Sequence, residues 1–306
     1  MAAPTASCAD ALVAPFSAGR GRTRVDVPPD ACDCHVHLYD ARYPAAAGAT
    51  LRPPDAGAAD YRQLQRRTGT QRVVFVTPST YGSDNRPLCD ALEAFGPQAR
   101  GVAVVDGQVD DAALEALHAR GVRGIRLNLS LGVVNSASQI GPLARRIAPL
   151  GWHLQLLAPA RAWSELAGVL EALPVPVVFD HFARLAPSMA GSHPSHALVL
   201  RLLAQRRAWV KLSGAYIVSE QGAPGCDDVA VLARSFLDAA PDRVLWGSDW
   251  PHASASAGHQ AMPDDARQMD LLAGWAGTPR ALHRVLVDNP AELYGFGRPP
   301  TLQETP

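Results

Sequence analysis

Eight short apolar, β-branched runs, with amphipathic stretches between most of them, constrain this chain more than any other feature. The runs are Ala31–His37, Arg72–Thr77, Gly101–Val105, Gly124–Asn128, His153–Leu157, Val177–Asp180, Trp209–Ser213 and Val244–Gly247. Helical periodicity marks Tyr61–Arg67, Asp111–Arg120, Trp163–Leu173, Ala197–Arg206 and Asp227–Ala239. Strands alternating with helices predict a parallel sheet. Eight such units predict a closed barrel rather than an open doubly wound sheet, and no G-x-G-x-x-G follows the first strand. The expected fold class is α/β, a single (β/α)8 TIM-type barrel. A barrel needs roughly 250 residues, and residues 29–297 supply them. Residues 1–28, rich in Ala, Pro and Gly, read as a flexible tail or an arm over the barrel, and 298–306 as a frayed end.

Composition narrows the partners. Hydrophobic residues make up 47% of the chain and charged residues 19%, enough for a large core. A formal net charge of -1 gives no basic field for nucleic acid. No stretch approaches the ~18 apolar residues of a membrane span, and the N-terminus has no signal-peptide pattern. Cysteine usage fits a cytoplasmic protein: the five cysteines are odd in number and match no zinc knuckle or disulfide framework. Cys32 and Cys34 read as reduced core residues. The oligomeric state is open, a homo-oligomer included.

Chemistry in a barrel sits at the C-terminal ends of the strands. The first strand ends in Asp33-Cys34-His35-Val36-His37. Side chains alternate along a strand, so Asp33, His35 and His37 are expected to face the barrel axis, and Cys32, Cys34 and Val36 the helices. Two imidazoles at i and i+2 can converge on one ion or one substrate oxygen. Two further apolar strands end abruptly in polar residues, one in Asp180-His181 and one in Ser248-Asp249. His35, His37, His181 and Asp249 therefore read as one inward constellation. Arg126 and Asn128 share a face near the end of the fourth strand, with Arg123 close by. A guanidinium facing the axis is costly unless it meets an anion; an internal salt bridge is the competing reading. Ser79, Tyr81 and Asn85 in the loop after strand two, and Tyr216 after strand seven, are further candidates for substrate contact.

The segments DCHVHL (33–38), VTPSTYGSDN (76–85), GVRGIRLN (121–128), GWHLQL (151–156), VVFDH (177–181), WVKLSG (209–214), LWGSDWPH (245–252) and VDNPAELYGF (287–296) resemble the amidohydrolase superfamily. Within it they resemble the branch of 2-pyrone-4,6-dicarboxylate lactonase, sulfomuconolactone hydrolases, sugar-lactone hydrolases and a galactarolactone isomerase. The resemblance implies that His35, His37 and His181 polarise a lactone carbonyl, directly or through a metal, and that Asp249 is the general base on water. It implies a small anionic lactone as substrate. Binuclear members of the superfamily use a carboxylated lysine or a glutamate near the middle strands. Here the single lysine, Lys211, lies in the seventh strand, and Gln155 ends the fifth, so a binuclear site is not expected. One zinc on His35, His37, His181 and Asp249 is chemically sensible; the metal-free reading is preferred, because the branch includes enzymes that work without metal.

Two positions depart from the pattern of the branch. Relatives often carry Tyr-Arg after KLSG, where this chain has Tyr216-Ile217, and Gly-Arg after the Asp-His pair, where it has Phe182-Ala183-Arg184. Both weaken a dicarboxylate assignment more than they weaken lactone hydrolysis. The competing functions are sugar-lactone isomerisation, zinc-dependent decarboxylation and a catalytically dead binding barrel. His118, His193, His196, His259 and His283 are expected to be exposed, and His153 to lie at the wrong end for chemistry. For His252, orienting Asp249 and helix-start packing stand as equal readings.

Overall fold

The computed structural model describes residues 12–130, 134–223 and 225–297. Eight parallel strands pair in sequence order: β1 Cys32–Val36, β2 Arg72–Val76, β3 Ala99–Ala103, β4 Val122–Asn128, β5 His153–Leu157, β6 Val177–Phe179, β7 Ala208–Ser213 and β8 Val244–Gly247. The helices are α1 Ala58–Thr68, α2 Arg86–Phe95, α3 Asp111–Ala119, α4 Ile140–Ile147, α5 Ala162–Glu165, α6 Ala167–Glu171, α7 Pro194–Ala204, α8 Ala215–Val218, α9 Ala230–Ala239, α10 Ala253–Ser256, α11 Asp265–Ala276, α12 Pro279–His283 and α13 Asn289–Tyr294. This is the expected (β/α)8 barrel. All eight strands form where the apolar runs lie, but β3 begins two residues before its run, at Ala99. The stretch expected as one helix over Trp163–Leu173 breaks at Leu166 into α5 and α6. No helix among the described residues is long and apolar enough to cross a membrane.

The barrel closes just beyond the end of β8. Asp249 N donates to the His35 carbonyl at 2.9 Å, and His37 N to the Trp250 carbonyl at 2.8 Å. Gly247 makes this approach possible: a Cβ there would stand 2.6 Å from His35 Cβ and 2.8 Å from its backbone nitrogen.

Face assignment along β1 departs from simple alternation. The pairing with β2 slips between Asp33 and Val36, a β-bulge. An extra residue in a strand flips the faces on either side of it. Cys32 and Cys34 consequently point into the barrel, in one buried cluster with Val74, Val102, Val178, Trp209 and Leu245, floored by Tyr294 and Phe296. Asp33 points outward, accepting from Tyr61 Oη of α1 at 3.2 Å and from Ser248 N at 2.9 Å. His35 and His37 still face the axis, because the bulge lies between Asp33 and Val36. His153 fills the barrel beside Gly124, whose missing Cβ leaves space for the ring; a Cβ there would fall 2.4 Å from it.

Residues 12–27 lie against the barrel. The Trp250 indole donates to the Pro15 carbonyl at 2.8 Å, and Phe16 packs edge-on against the same ring. The buried Arg67 guanidinium of α1 binds the Gly21 and Ala18 carbonyls, Ser17 Oγ and the Asp264 carboxylate. The remaining parts of the two expected tails, 1–11 with Cys8 and 298–306, lie outside the described residues.

Gly247→Ala should therefore spread the closing seam and lower the unfolding free energy by about 2 kcal/mol in urea titrations. Gly274→Ala in α11, where a Cβ meets nothing within 4 Å, should instead be stabilising by roughly 0.5–1 kcal/mol. Equal midpoints for the two variants would contradict the packing at the seam.

Candidate active site

Three strand ends and one turn bring His35, His37, His181 and Asp249 together. His181 opens a run, His181 to Arg184, in which four consecutive residues have positive φ between 48° and 55°. Asp249 is also left-handed, at φ 70°. Such conformations cost non-glycine residues energy and persist where the surroundings impose them, often at functional sites. Here they turn both side chains back over the barrel mouth. Asp249 Oδ1 lies 3.7 Å from His35 Nε2, 3.9 Å from His37 Nε2 and 3.9 Å from His181 Nε2. Its other oxygen, Oδ2, accepts from Tyr216 Oη at 2.7 Å.

The far sides of two imidazoles are held by acceptors. His37 Nδ1 lies 2.7 Å from the Val76 carbonyl and must donate to it. His181 Nδ1 faces Ser213 Oγ at 3.0 Å and the Ser213 carbonyl at 3.3 Å. His37 Nε2 is therefore a lone pair, whereas the Ser213 hydroxyl can donate or accept and leaves His181 Nε2 free to carry its hydrogen towards Asp249. Burial lowers the His37 pKa to about 4 and shifts His35 and His181 down as well, so the rings are neutral at pH 7. For Asp249, burial resists ionisation, but the imidazoles of His181, His35 and His37 outweigh it, and the carboxyl titrates below its usual range. Imidazole nitrogens and a carboxylate oxygen are the ligand types of a divalent cation, provided each nitrogen that faces the ion is free of its hydrogen. His35, His37 and Asp249 place ligand atoms within 4.8 Å of one another.

Beneath the cluster lies a charged layer that sequence reading missed. Asp180 Oδ2 accepts from Arg126 Nε at 2.9 Å and from Gln155 Nε2 at 3.1 Å. Lys211 Nζ donates to Gln155 Oε1 at 2.6 Å and stands 3.9 Å from Asp180 Oδ1. Burial works against the charge of Asp180, but His35, Arg126 and Lys211 together hold its carboxyl well below the ordinary range. Burial lowers Lys211 to about 8, against the pull of Asp180. The Asp180-His181 strand end and the lone lysine were visible signals, but their pairing spans β4 to β7.

The other expected contacts divide. Arg126 faces the axis, and its Nε is committed to the internal salt bridge; no hydrogen bond engages its terminal nitrogens among the described residues. Asn128 Nδ2 donates to Ser79 Oγ at 2.8 Å, so these two join as expected. Arg123 does not join them: it points outward at the opposite end of β4 and binds the His118 and Val122 carbonyls. Tyr81 Oη is consumed by the backbone of Asp40. Asn85 bridges Thr77 and Val104, a structural duty. Tyr216 reaches the site, but its hydroxyl is spent on Asp249. Arg184, exposed, lies near enough to Asp249 and Tyr216 to interact with their charges. His196 is buried against Ser235 Oγ at 2.9 Å rather than exposed, because α7 turns it towards α9. His118 and His193 are half-buried, bonded to the Trp152 indole and the Ser195 amide; His259 and His283 are exposed.

His252 stands behind Tyr216, packing edge-on at 5.4 Å between centroids. Its Nε2 lies 3.0 Å from Asp265 Oδ2, both residues buried. Burial pushes the His252 pKa down, but the Asp265 carboxylate outweighs it and the net shift is upward from 6.5. A raised histidine contributes its stability fully below the unfolded pKa and loses it as pH rises through the folded one. Unfolding free energy measured in urea should therefore decline as pH rises from 6 through neutrality, and Asp265→Asn should remove that part of the decline. An unchanged pH slope in the variant would mean that His252 is not charged in the fold.

Comparison with known proteins identifies the family. The family model described as amidohydrolase matches residues 32–296. The chain is 34% identical over 289 residues to a 2-pyrone-4,6-dicarboxylate hydrolase of Comamonas testosteroni, covering 90% of this chain and 94% of that protein. It is 31% identical over 270 residues to a D-galactarolactone isomerase of Agrobacterium fabrum, covering 87% and 91%. A crystal structure of an Agrobacterium tumefaciens protein superposes with a TM-score of 0.82 at 29% identity, covering 89% and 98%. With its barrel, its strand-end histidines and this match over nearly the whole described length, the chain belongs to the amidohydrolase family.

Proposed function

We propose that this enzyme opens the ring of a small anionic lactone by attack of water. The observation that carries the reading is the convergence of three imidazole Nε2 atoms on one oxygen of Asp249, at 3.7–3.9 Å, at the barrel mouth. A water above this cluster can donate to Asp249 Oδ1 while the acyl carbon approaches it from the barrel mouth. Asp249 Oδ1 removes a proton from water as its oxygen bonds to the acyl carbon. The carbonyl oxygen, gaining charge, is stabilised by an imidazole N–H of the cluster and by the positive layer of Arg126 and Lys211 beneath it. Collapse breaks the bond between acyl carbon and ring oxygen, and the proton on Asp249 passes to that leaving oxygen. The product acid ionises at neutral pH, releasing one proton per turnover.

Should a divalent cation bind, His35, His37, His181 and Asp249 are the residues that would hold it, and it would supply Lewis-acid polarisation of the acyl oxygen. Anion recognition falls to the terminal nitrogens of Arg126, to Asn128 with Ser79, and to Arg184 at the mouth. Similarity to a lactone hydrolase supports ring opening as the class of reaction. Similarity to a lactone isomerase supports a second reading, in which a hydroxyl of the substrate replaces water as the attacking group on the same machinery.

Proton release from a panel of carboxylated and sugar lactones, with and without chelator, tests the proposal. Asp249→Asn should lower kcat by about 10³-fold. Turnover in ¹⁸O-labelled water should place one label in the product carboxylate if water attacks and none if the reaction is an isomerisation. Absence of acid from every lactone would end the hydrolase reading.

A further inference from the structure

One ring nitrogen in the site stands between two incompatible partners. His35 Nδ1 lies 3.3 Å from Asp180 Oδ1, which can only accept, and 3.4 Å from Lys211 Nζ, which donates. Bonded to Asp180 it must carry the ring hydrogen; bonded to Lys211 it must offer its lone pair. In a neutral imidazole that choice decides what Nε2 presents at the other end.

The neighbours decide it. His37 Nδ1 donates to the Val76 carbonyl, so His37 Nε2 is a lone pair. His35 Nε2 stands 3.2 Å from that lone pair. Two facing lone pairs repel, whereas a hydrogen on His35 Nε2 makes the contact a hydrogen bond. His35 Nδ1 is then the acceptor that Lys211 needs. The donors run in one direction: Lys211 Nζ to His35 Nδ1, His35 Nε2 to His37 Nε2, and His37 Nδ1 to the Val76 carbonyl. Asp180 keeps Arg126 and Gln155 on its Oδ2, and the charge of Lys211 Nζ, 3.9 Å from its Oδ1, offsets the repulsion between that oxygen and the His35 Nδ1 lone pair 3.3 Å away. Its Oδ1, the atom facing His35, has no hydrogen-bond partner.

We infer that Lys211, the single lysine of the chain, holds His35 in the tautomer protonated on Nε2 and thereby makes the histidine cluster a poor site for a divalent cation. A metal-bound imidazole normally donates its far N–H to a carboxylate or carbonyl, which frees the near nitrogen for the ion. Asp180 is placed for that duty, and Lys211 competes with it. The lysine also puts a positive charge where an incoming cation would feel it. The inference rests on this cluster being the functional centre, but its test uses no lactone, so failure of the lactonase reading would be seen separately.

Chelator-treated protein at pH 7 would be titrated with Zn²⁺ by calorimetry. Lys211→Met should bind zinc at least tenfold more tightly than the wild type, because His35 is then free to donate to Asp180. Asp180→Asn should bind no more tightly than the wild type. In parallel, ¹⁵N-histidine NMR of the wild-type protein, with the His35 signals identified by their loss in His35→Gln, should find the hydrogen on Nε2; in Lys211→Met it should move to Nδ1. Unchanged or weaker zinc binding in Lys211→Met, or a hydrogen on Nδ1 of wild-type His35, would overturn the inference. The wild-type tautomer measurement holds even if the lysine variant does not fold.

Discussion

The hydrogen-bonded seam between β1 and the residues following β8 is the interaction on which the rest of this structure depends. Asp249 N and His37 N each donate across it, so the backbone atoms that close the barrel belong to residues whose side chains meet in the site. Gly247 lets the strands approach because it presents no Cβ to His35. Barrel closure and site assembly are consequently one event. Loosening of the seam would separate His35 and His37 from Asp249 before it exposed much of the core.

Inside the barrel, polarity changes with height. The lower layers are apolar apart from the His153 ring, with Cys32, Cys34, Val102, Val178, Trp209 and Leu245 packed over Tyr294 and Phe296. Above them lies a fully buried layer of Asp180, Arg126, Lys211 and Gln155. Buried charges are tolerable only when paired and hydrogen-bonded, and this layer meets most of that demand by sharing partners: Asp180 Oδ2 serves Arg126 and Gln155, Gln155 serves Lys211, and Asp180 Oδ1 is left to the charge of Lys211 at 3.9 Å. The layer is also a rigid support. It sits directly under His35 and sets the electrostatic environment in which the histidines and Asp249 work.

The mouth is arranged around Asp249. One oxygen is fixed by Tyr216 and the other faces the imidazoles. Tyr216 is itself braced by His252, and His252 by Asp265 on α11. A carboxylate whose two oxygens are differentiated in this way has one direction in which to accept a proton. Its left-handed backbone, like that of His181 to Arg184, is sustained by the hydrogen bonds and packing around it.

How much of this was legible beforehand follows from the range of the interactions. Strand and helix placement, the barrel and the strand-end residues His35, His37, His181 and Asp249 stand in the sequence because periodicity and abrupt apolar-to-polar transitions are local signals. The β-bulge in β1 is not a local signal; it arises from pairing with β2, and it reverses the faces expected for Asp33, Cys32 and Cys34. Alternation already separates Arg123 from Arg126, three residues along the strand, but only the tertiary structure shows one on carbonyls and the other on Asp180. Tyr81, Asn85 and Tyr216 are polar loop residues of a kind that binds ligands, but their hydroxyls and amide are taken by backbone or by Asp249. Lys211 and His35 are 176 residues apart. The sequence by itself determined which residues are apolar, where strands end and which polar groups those ends carry. The tertiary structure alone decided which of those groups share a proton or a charge, because that depends on distances between strands far apart in the chain.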